Sequence, residues 1–210
     1  MMERVMAGFA ESVRQDIRWL VKGYPSRRKA LTVILTNRGL QAVVLYRISR
    51  ALWLRRVPLI PMVLTRIAQH LFAVDISFQA DLGPGIVIVH GFGLVIGGGT
   101  QIEGNCCLFH GVTLGDRGSE WVGSDRTDGH PSLGKGVMVG AGAKILGPVH
   151  IGQNSVIGAN AVVLRDVPAD SIAAGVPARV IGKRAAAEPE AEQGPAEPEA
   201  KREVPAVPKR

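Results

Sequence analysis

Between Ile76 and Val163 an aliphatic residue returns at every sixth position. The first run is Ile76, Leu82, Ile88 and Leu94; after a two-residue slip comes Ile96, Ile102, Leu108 and Leu114; after an insertion come Leu133, Val139, Ile145, Ile151, Ile157 and Val163. A period of six matches neither the 3.6-residue turn of an α-helix nor the strict alternation of a half-buried strand, and it reads as a hexapeptide-repeat β-solenoid. Four positions after most of these aliphatics stands a small or apolar residue, among them Ala80, Thr100, Cys106, Val112, Val137, Ala143, Val149, Ser155 and Ala161. That pairing suits a narrow interior. Glycine often follows the aliphatic, as at Gly83, Gly97, Gly115, Gly134, Gly140, Gly152 and Gly158, where the missing Cβ relieves crowding at a corner. Three hexads then make one triangular coil of 18 residues.

The repeat divides the chain. Residues 1–74 form a basic helical region, 75–183 the solenoid with an inserted loop at 116–132, and 184–210 a tail. Helical spacing is clearest where Leu40, Val43, Val44, Ile48, Ala51 and Leu52 recur at steps of three and four. The tail is Ala, Glu, Pro and Lys without an aromatic residue, too little apolar surface to offset its ordering entropy, so disorder is expected. Residues 1–74 hold 13 Lys or Arg against 3 Asp or Glu. Such a surface can face an anionic membrane as well as solvent, so peripheral membrane contact is one expectation; no nucleic-acid partner is expected. The most apolar stretch, Val57–Thr65, contains Pro58 and Pro61 between Arg56 and Arg66 and is too short to span a bilayer. Nothing at the start has the pattern of a signal peptide. Adjacent Cys106 and Cys107 fit a packed thiol better than a disulfide or metal pair, and a reducing cytoplasm, its membrane face included, is the expected location.

Two nucleotide motifs are excluded. Gly129–Gly136 approximates a P-loop but lacks Ser or Thr after Lys135 and leads into a hexad rather than a helix. Gly97-Gly98-Gly99 has no βαβ context. The histidines carry more. His90 and His110 fall at the same point of the third hexad in successive coils, about 4.8 Å apart along the axis, and His130 lies where the solenoid resumes after the insertion. A neutral imidazole beside a hydroxyl can take its proton.

The segments VDI at Val74–Ile76, GIVIVHGFGLVIG, LFHGVTLG, GHP, GVMVGAGAKILGPVHIG and AAGVPARVIGK, with RGLQAVVLYRISRALW in the helical part, resemble the serine acetyltransferase family over about residues 26–183. The resemblance implies a mainly β fold, a left-handed parallel β-helix behind a short helical region. It implies a homotrimer with active sites shared between subunits, and acetyl transfer from acetyl-CoA directly to a hydroxyl, without metal. It assigns His90 as general base, Asp75 as the carboxylate that orients it, and His130 as a second histidine contributed across the interface. Gly115, Ala141 and Ala159 match positions along the pantetheine arm, and Arg179 and Lys183 are placed to neutralise nucleotide phosphates. Val156 stands where some members have a lysine.

Departures gather where the family holds the charged ends of serine: Val89 replaces an acidic residue, Gly129 an arginine, and Tyr24 an acidic residue before a proline. Uncompensated charges in a desolvated pocket are costly. The insertion is longer than the family pattern and carries Trp121, Arg126 and Asp128, an aromatic plane and polar groups suited to a sugar ring. Val89, Trp121, Arg126 and Gly129 are thus the expected acceptor-binding positions, and a glycan hydroxyl of a polysaccharide or its precursor is the expected acceptor, with serine as the alternative. Two other classes stay open: a zinc enzyme like the hexapeptide-fold carbonic anhydrases, using His90, His110 and His130, and an inactive trimeric scaffold.

Overall fold

The computed structural model describes residues 2–22, 26–118 and 129–184. Tyr24, Trp121, Arg126, Asp128 and the tail from residue 185 lie outside them. Four helices come first: α1 (Met2–Val21), α2 (Arg27–Thr36), α3 (Arg38–Leu54) and α4 (Ile60–Phe72). A three-sided parallel solenoid follows. Its first side is β1 (Val74–Ile76), β4 (Leu94–Ile96), β7 (Thr113–Gly115), β10 (Lys144–Leu146) and β13 (Val162–Val163). The second is β2 (Asp81–Leu82), β5 (Gln101–Ile102), β8 (Ser132–Leu133) and β11 (His150–Ile151). The third is β3 (Val87–Val89), β6 (Cys107–Phe109), β9 (Met138–Val139), β12 (Val156–Ile157) and β14 (Ser171–Gly175), closed by antiparallel β15 (Ala178–Lys183).

The hexad reading holds residue by residue. All fourteen repeat aliphatics are buried, none more than 5% exposed, and the nine residues read as their companions are buried with them. Each full burial of an aliphatic side chain contributes roughly 1.5–3 kcal/mol, so stability is spread evenly along the axis. Glycine after the aliphatic serves coil-to-coil approach: a Cβ at Gly140 would stand 2.7 Å from the Ala159 nitrogen. Cys106 is fully buried, and desolvation pushes its thiol up to about 11. Desolvation likewise pushes Cys107 up to about 11.

Register gives the coil lengths. Thr113 pairs with Val95, and Val162 with Lys144, each 18 positions on. Val95 pairs with Asp75, 20 positions on; the two-residue slip in the sequence is an outward bulge at His90–Gly93, whose Phe92 is 71% exposed. Ser132 pairs with Gln101, 31 positions on, because the insertion leaves and re-enters at one corner. Ser132, expected within the loop, is already strand.

The helices clasp the first coils. Arg47 of α3, 7% exposed, donates to both carboxylate oxygens of Asp16 at 2.5 and 2.9 Å and to the carbonyls of Leu82 and Gly83. Asp16 also accepts from the Gly85 and Ile86 amides at 2.8 and 2.9 Å. Tyr46 donates to the Ala80 carbonyl and accepts from the Leu82 amide, and burial pushes its phenol up to about 12. Gly39 lies so close to β3 that a Cβ there would strike the Ile88 carbonyl. The face of α3 that docks is therefore Leu40, Val43, Tyr46 and Arg47, while Ile48 is exposed. Polar side chains share that face because the solenoid corner offers carbonyls and amides that need partners. On α4, Ile60, Met62, Val63, Ile67 and Leu71 are exposed. Among the described residues no helix is long and apolar enough to cross a membrane.

One boundary at the end of the solenoid changes. The exit segment is a β14–β15 hairpin that extends the third side. Arg184, assigned to the tail, bonds the Gly136 and Asn154 carbonyls and belongs with the solenoid.

Candidate active site

Most of the described residues singled out in the sequence fall on two corners that flank the first side of the solenoid. At the corner leading into that side stand His90, His110, Ala141 and Ala159, one per coil. Val89 pairs with Phe109, and the His90 and His110 rings that follow lie edge to face, centroids 5.9 Å apart. Both side chains are exposed. His90 holds a left-handed backbone, φ +63°, which an L-residue adopts at a cost; it opens the two-residue bulge and turns the imidazole out of the wall. Val89 is half-buried beside it.

Below the histidines the corner narrows to small residues. Val89 and Phe109 give way in the same row to Gly140, Gly158 and Ala174, and the two histidines give way to Ala141 and Ala159. The Ala141 and Ala159 amides make no hydrogen bond among the described residues. The result is a channel floored by small side chains and lined by available backbone donors. Arg179 is exposed on β15, opposite Ala174, four strand steps beyond His110, or about 19 Å along the axis. Lys183 sits opposite Ser171 at the far end of β15, roughly 13 Å from Arg179 along the strand, so it does not share this corner.

The corner leaving the same side holds Gly115, Gly129 and His130. The His130 imidazole covers Gly97, where a Cβ would meet its ring at 2.5 Å. Its Nδ1 is buried without a partner among the described residues. Gly115 is open, a Cβ there finding only the Thr113 methyl at 3.8 Å. Gly129 faces Asp116, and a Cβ added at Gly129 would lie 3.3 Å from the Asp116 Cβ.

Between these corners, Asp75, Val95, Thr113, Lys144 and Val162 form the outward row of the first side. Asp75 thus projects from the strand, not the corner, and among the described residues no hydrogen bond joins it to His90. His90, two residues after Ile88, falls at the corner, as His110 does two residues after Leu108, whereas Asp75, one before Ile76, falls on the strand row. Lys144 was not foreseen: its half-buried ammonium donates to the Gly111 carbonyl at 2.5 Å and the Thr113 hydroxyl at 3.0 Å. A lysine at an outward strand position was the available signal. Among the described residues no three His, Cys, Asp or Glu side chains gather as a metal site.

Residues 130–165 match the bacterial transferase hexapeptide family (six repeats). The chain is 42% identical over 171 residues to the serine acetyltransferase of Synechococcus elongatus, covering 81% of this chain and 68% of that one. It is 41% identical over 172 residues to that of Mycobacterium tuberculosis, covering 82% and 73%. The chain belongs to the serine acetyltransferase family. A crystal structure of the Brucella abortus serine acetyltransferase in complex with coenzyme A superposes with a TM-score of 0.79 at 35% identity, over 88% of this chain and 72% of that one. The family membership and the parallel solenoid expected from the hexads are both borne out.

Proposed function

We propose that this protein is an acetyl-CoA-dependent O-acetyltransferase whose acceptor is free serine and whose active site forms between the two unlike corners of adjacent subunits in a homotrimer. The observation that carries the reading is the pairing of extensive identity to serine acetyltransferases with a histidine-headed corner that tapers into a channel of small residues.

In this reading His90 takes the proton of the acceptor hydroxyl as its oxygen attacks the thioester carbonyl carbon. The C–S bond then breaks, and the imidazolium returns that proton to the departing thiolate, leaving an acetyl ester and free coenzyme A. General base catalysis of this kind contributes about 10²–10⁴ in rate. Ala141 and Ala159 donate their amides to the pantetheine arm, and Arg179 meets the phosphates at the end of the 19 Å run. Gly115 and His130 approach from the neighbouring subunit. The trimer is supported by an apolar outward row on the third side, Val87, Cys107, Met138, Val156 and Ile172, all only partly buried in one chain.

Serine replaces the glycan as the favoured acceptor because relatives at 38–42% identity, from bacteria as different as Synechococcus elongatus, Mycobacterium tuberculosis and Escherichia coli, are serine acetyltransferases. The glycan reading rested on Trp121 and Arg126, which lie outside the described residues, and on uncharged Val89 and Gly129. The test is the purified chain with acetyl-CoA, followed by thiol release and mass spectrometry of the acceptor. O-acetylserine as the dominant product is expected. Acetylated sugar without acetylserine, across a panel of mono- and oligosaccharides, overturns the serine assignment.

A further inference from the structure

The channel on the entering corner supplies one wall for an extended ligand: small side chains and the Ala141 and Ala159 amides. In the homotrimer the facing wall is the leaving corner of the adjacent subunit, and the side chain that runs along that corner is Arg117. From just beyond the end of β7 it reaches over the next two coils. Its stem lies on Gly147, where a Cβ would come within 2.5 Å of the Arg117 Nε. Nε donates to the Leu146 carbonyl at 3.2 Å, and Nη2 donates to the Leu164 carbonyl. Two neighbouring coils thus hold a guanidinium that is itself exposed. Among the described residues no carboxylate pairs with it, and Nη1 makes no hydrogen bond, which leaves both Nη1 hydrogens for another acceptor.

We propose that Arg117 of one subunit closes the donor channel of the next, giving its Nη1 hydrogens to carbonyl oxygens of the pantetheine arm. The inference rests on the reading of an acetyl-CoA site shared between unlike corners of a homotrimer. Rotation about a threefold axis leaves every height along that axis unchanged, so for solenoids standing side by side the levels read in one chain hold across the boundary. Leu146 ends β10 and Leu164 follows β13, while Ala141 and Ala159 lead into the same two strands. Arg117 therefore stands level with the two alanines, on the other side of the channel. That level is one to two strand steps past His110, roughly 5–10 Å along the axis, and well short of Arg179. The part of the ligand within reach is the uncharged arm, not the phosphates. A fork already fixed by two carbonyls loses little rotamer freedom on taking a further acceptor.

The experiment compares Arg117→Ala and Arg117→Lys with wild type in the full-length protein, with serine as acceptor and two donors: acetyl-CoA, and S-acetylpantetheine, which lacks the phosphates and the nucleotide. Arg117→Ala is expected to lower kcat/KM for both donors alike, by about 10–100-fold, the range for a hydrogen bond from a charged donor, while KM for serine stays within about twofold. Arg117→Lys keeps the charge and loses the fork, and it is expected to fall within about threefold of Arg117→Ala. The urea midpoint is expected to be the same in all three proteins. Unchanged donor kcat/KM overturns the proposal. A loss seen with acetyl-CoA and absent with acetylpantetheine also overturns it, by moving the contact to the phosphates, and so does a lysine enzyme as fast as wild type. A urea midpoint that falls together with activity assigns Arg117 to holding the two coils and overturns it as well. Calorimetry of coenzyme A on wild type is the separate control: no binding there overturns the acetyltransferase reading itself, and this proposal with it.

Discussion

The two corners flanking the first side of the solenoid are built from the same repeat and do opposite work. The entering corner is fixed: Asp16 and Arg47 bolt the coil just before it to α1 and α3, Gly39 presses α3 onto β3, and Lys144 ties the next coil to it. The leaving corner is more open: Gly115 has room, although His130 covers Gly97, and the chain departs there for the length of the insertion. In the proposed function the base stands on the braced corner and His130 on the other, so each chain carries two half-sites with the strands of the first side between them.

The largest effect should come from removing the base on the braced corner. His90→Ala is expected to lower kcat by about 10²–10⁴ with the trimer and coenzyme A binding intact; near-normal turnover would strip that corner of its role. Loosening the brace comes next. Asp16→Ala strands the buried Arg47 guanidinium and two amides, and should cost about 3–5 kcal/mol in urea unfolding; a change below 1 kcal/mol would mean that the two corners are held alike. The division between chains is tested by mixing. His90→Ala and His130→Ala trimers, each impaired, should regain at least about tenfold activity when dissociated and reassembled together, and no recovery would return both corners to one chain.

The smallest effect concerns pH. The Tyr46 phenol and Cys106 thiol, pushed to about 12 and 11 by burial, bind protons more tightly folded than unfolded. Their contribution is present in full at neutral pH and is lost as pH rises from about 9 through 12. The urea midpoint should fall across pH 8.5 to 11 and fall less in Tyr46→Phe; a flat profile would mean the α3 contact does not depend on that phenol.

Much of this was legible in the sequence, for a physical reason. Each hexad is solved locally by an inward aliphatic and a small companion, so the phase from Ile76 to Val163 could be counted without knowing the fold. The stacking of His90 over His110 follows from the same count. What the count could not see was anything that breaks the period. The bulge that lengthens the first coil from 18 to 20 positions appears in the sequence only as a two-residue slip. Apolar spacing marked α3 as a helix but not its docking face, because Tyr46 and Arg47 answer polar groups on a corner that hydrophobic spacing does not register. Lys183 was grouped with Arg179 by proximity in sequence, yet an extended strand carries residues four apart to opposite ends.

The 31-position step from Gln101 to Ser132 has a consequence for how such enzymes diversify. Coils on either side of the excursion remain hydrogen-bonded to each other, with Ile102 beside Leu133 as if nothing intervened. Loop-closure entropy grows only slowly with length, so doubling or halving the excursion changes the thermodynamic balance by well under the stability of one coil. The excursion between Gly115 and His130 can therefore change length while the coils on either side keep their register, provided that His130 stays at its return.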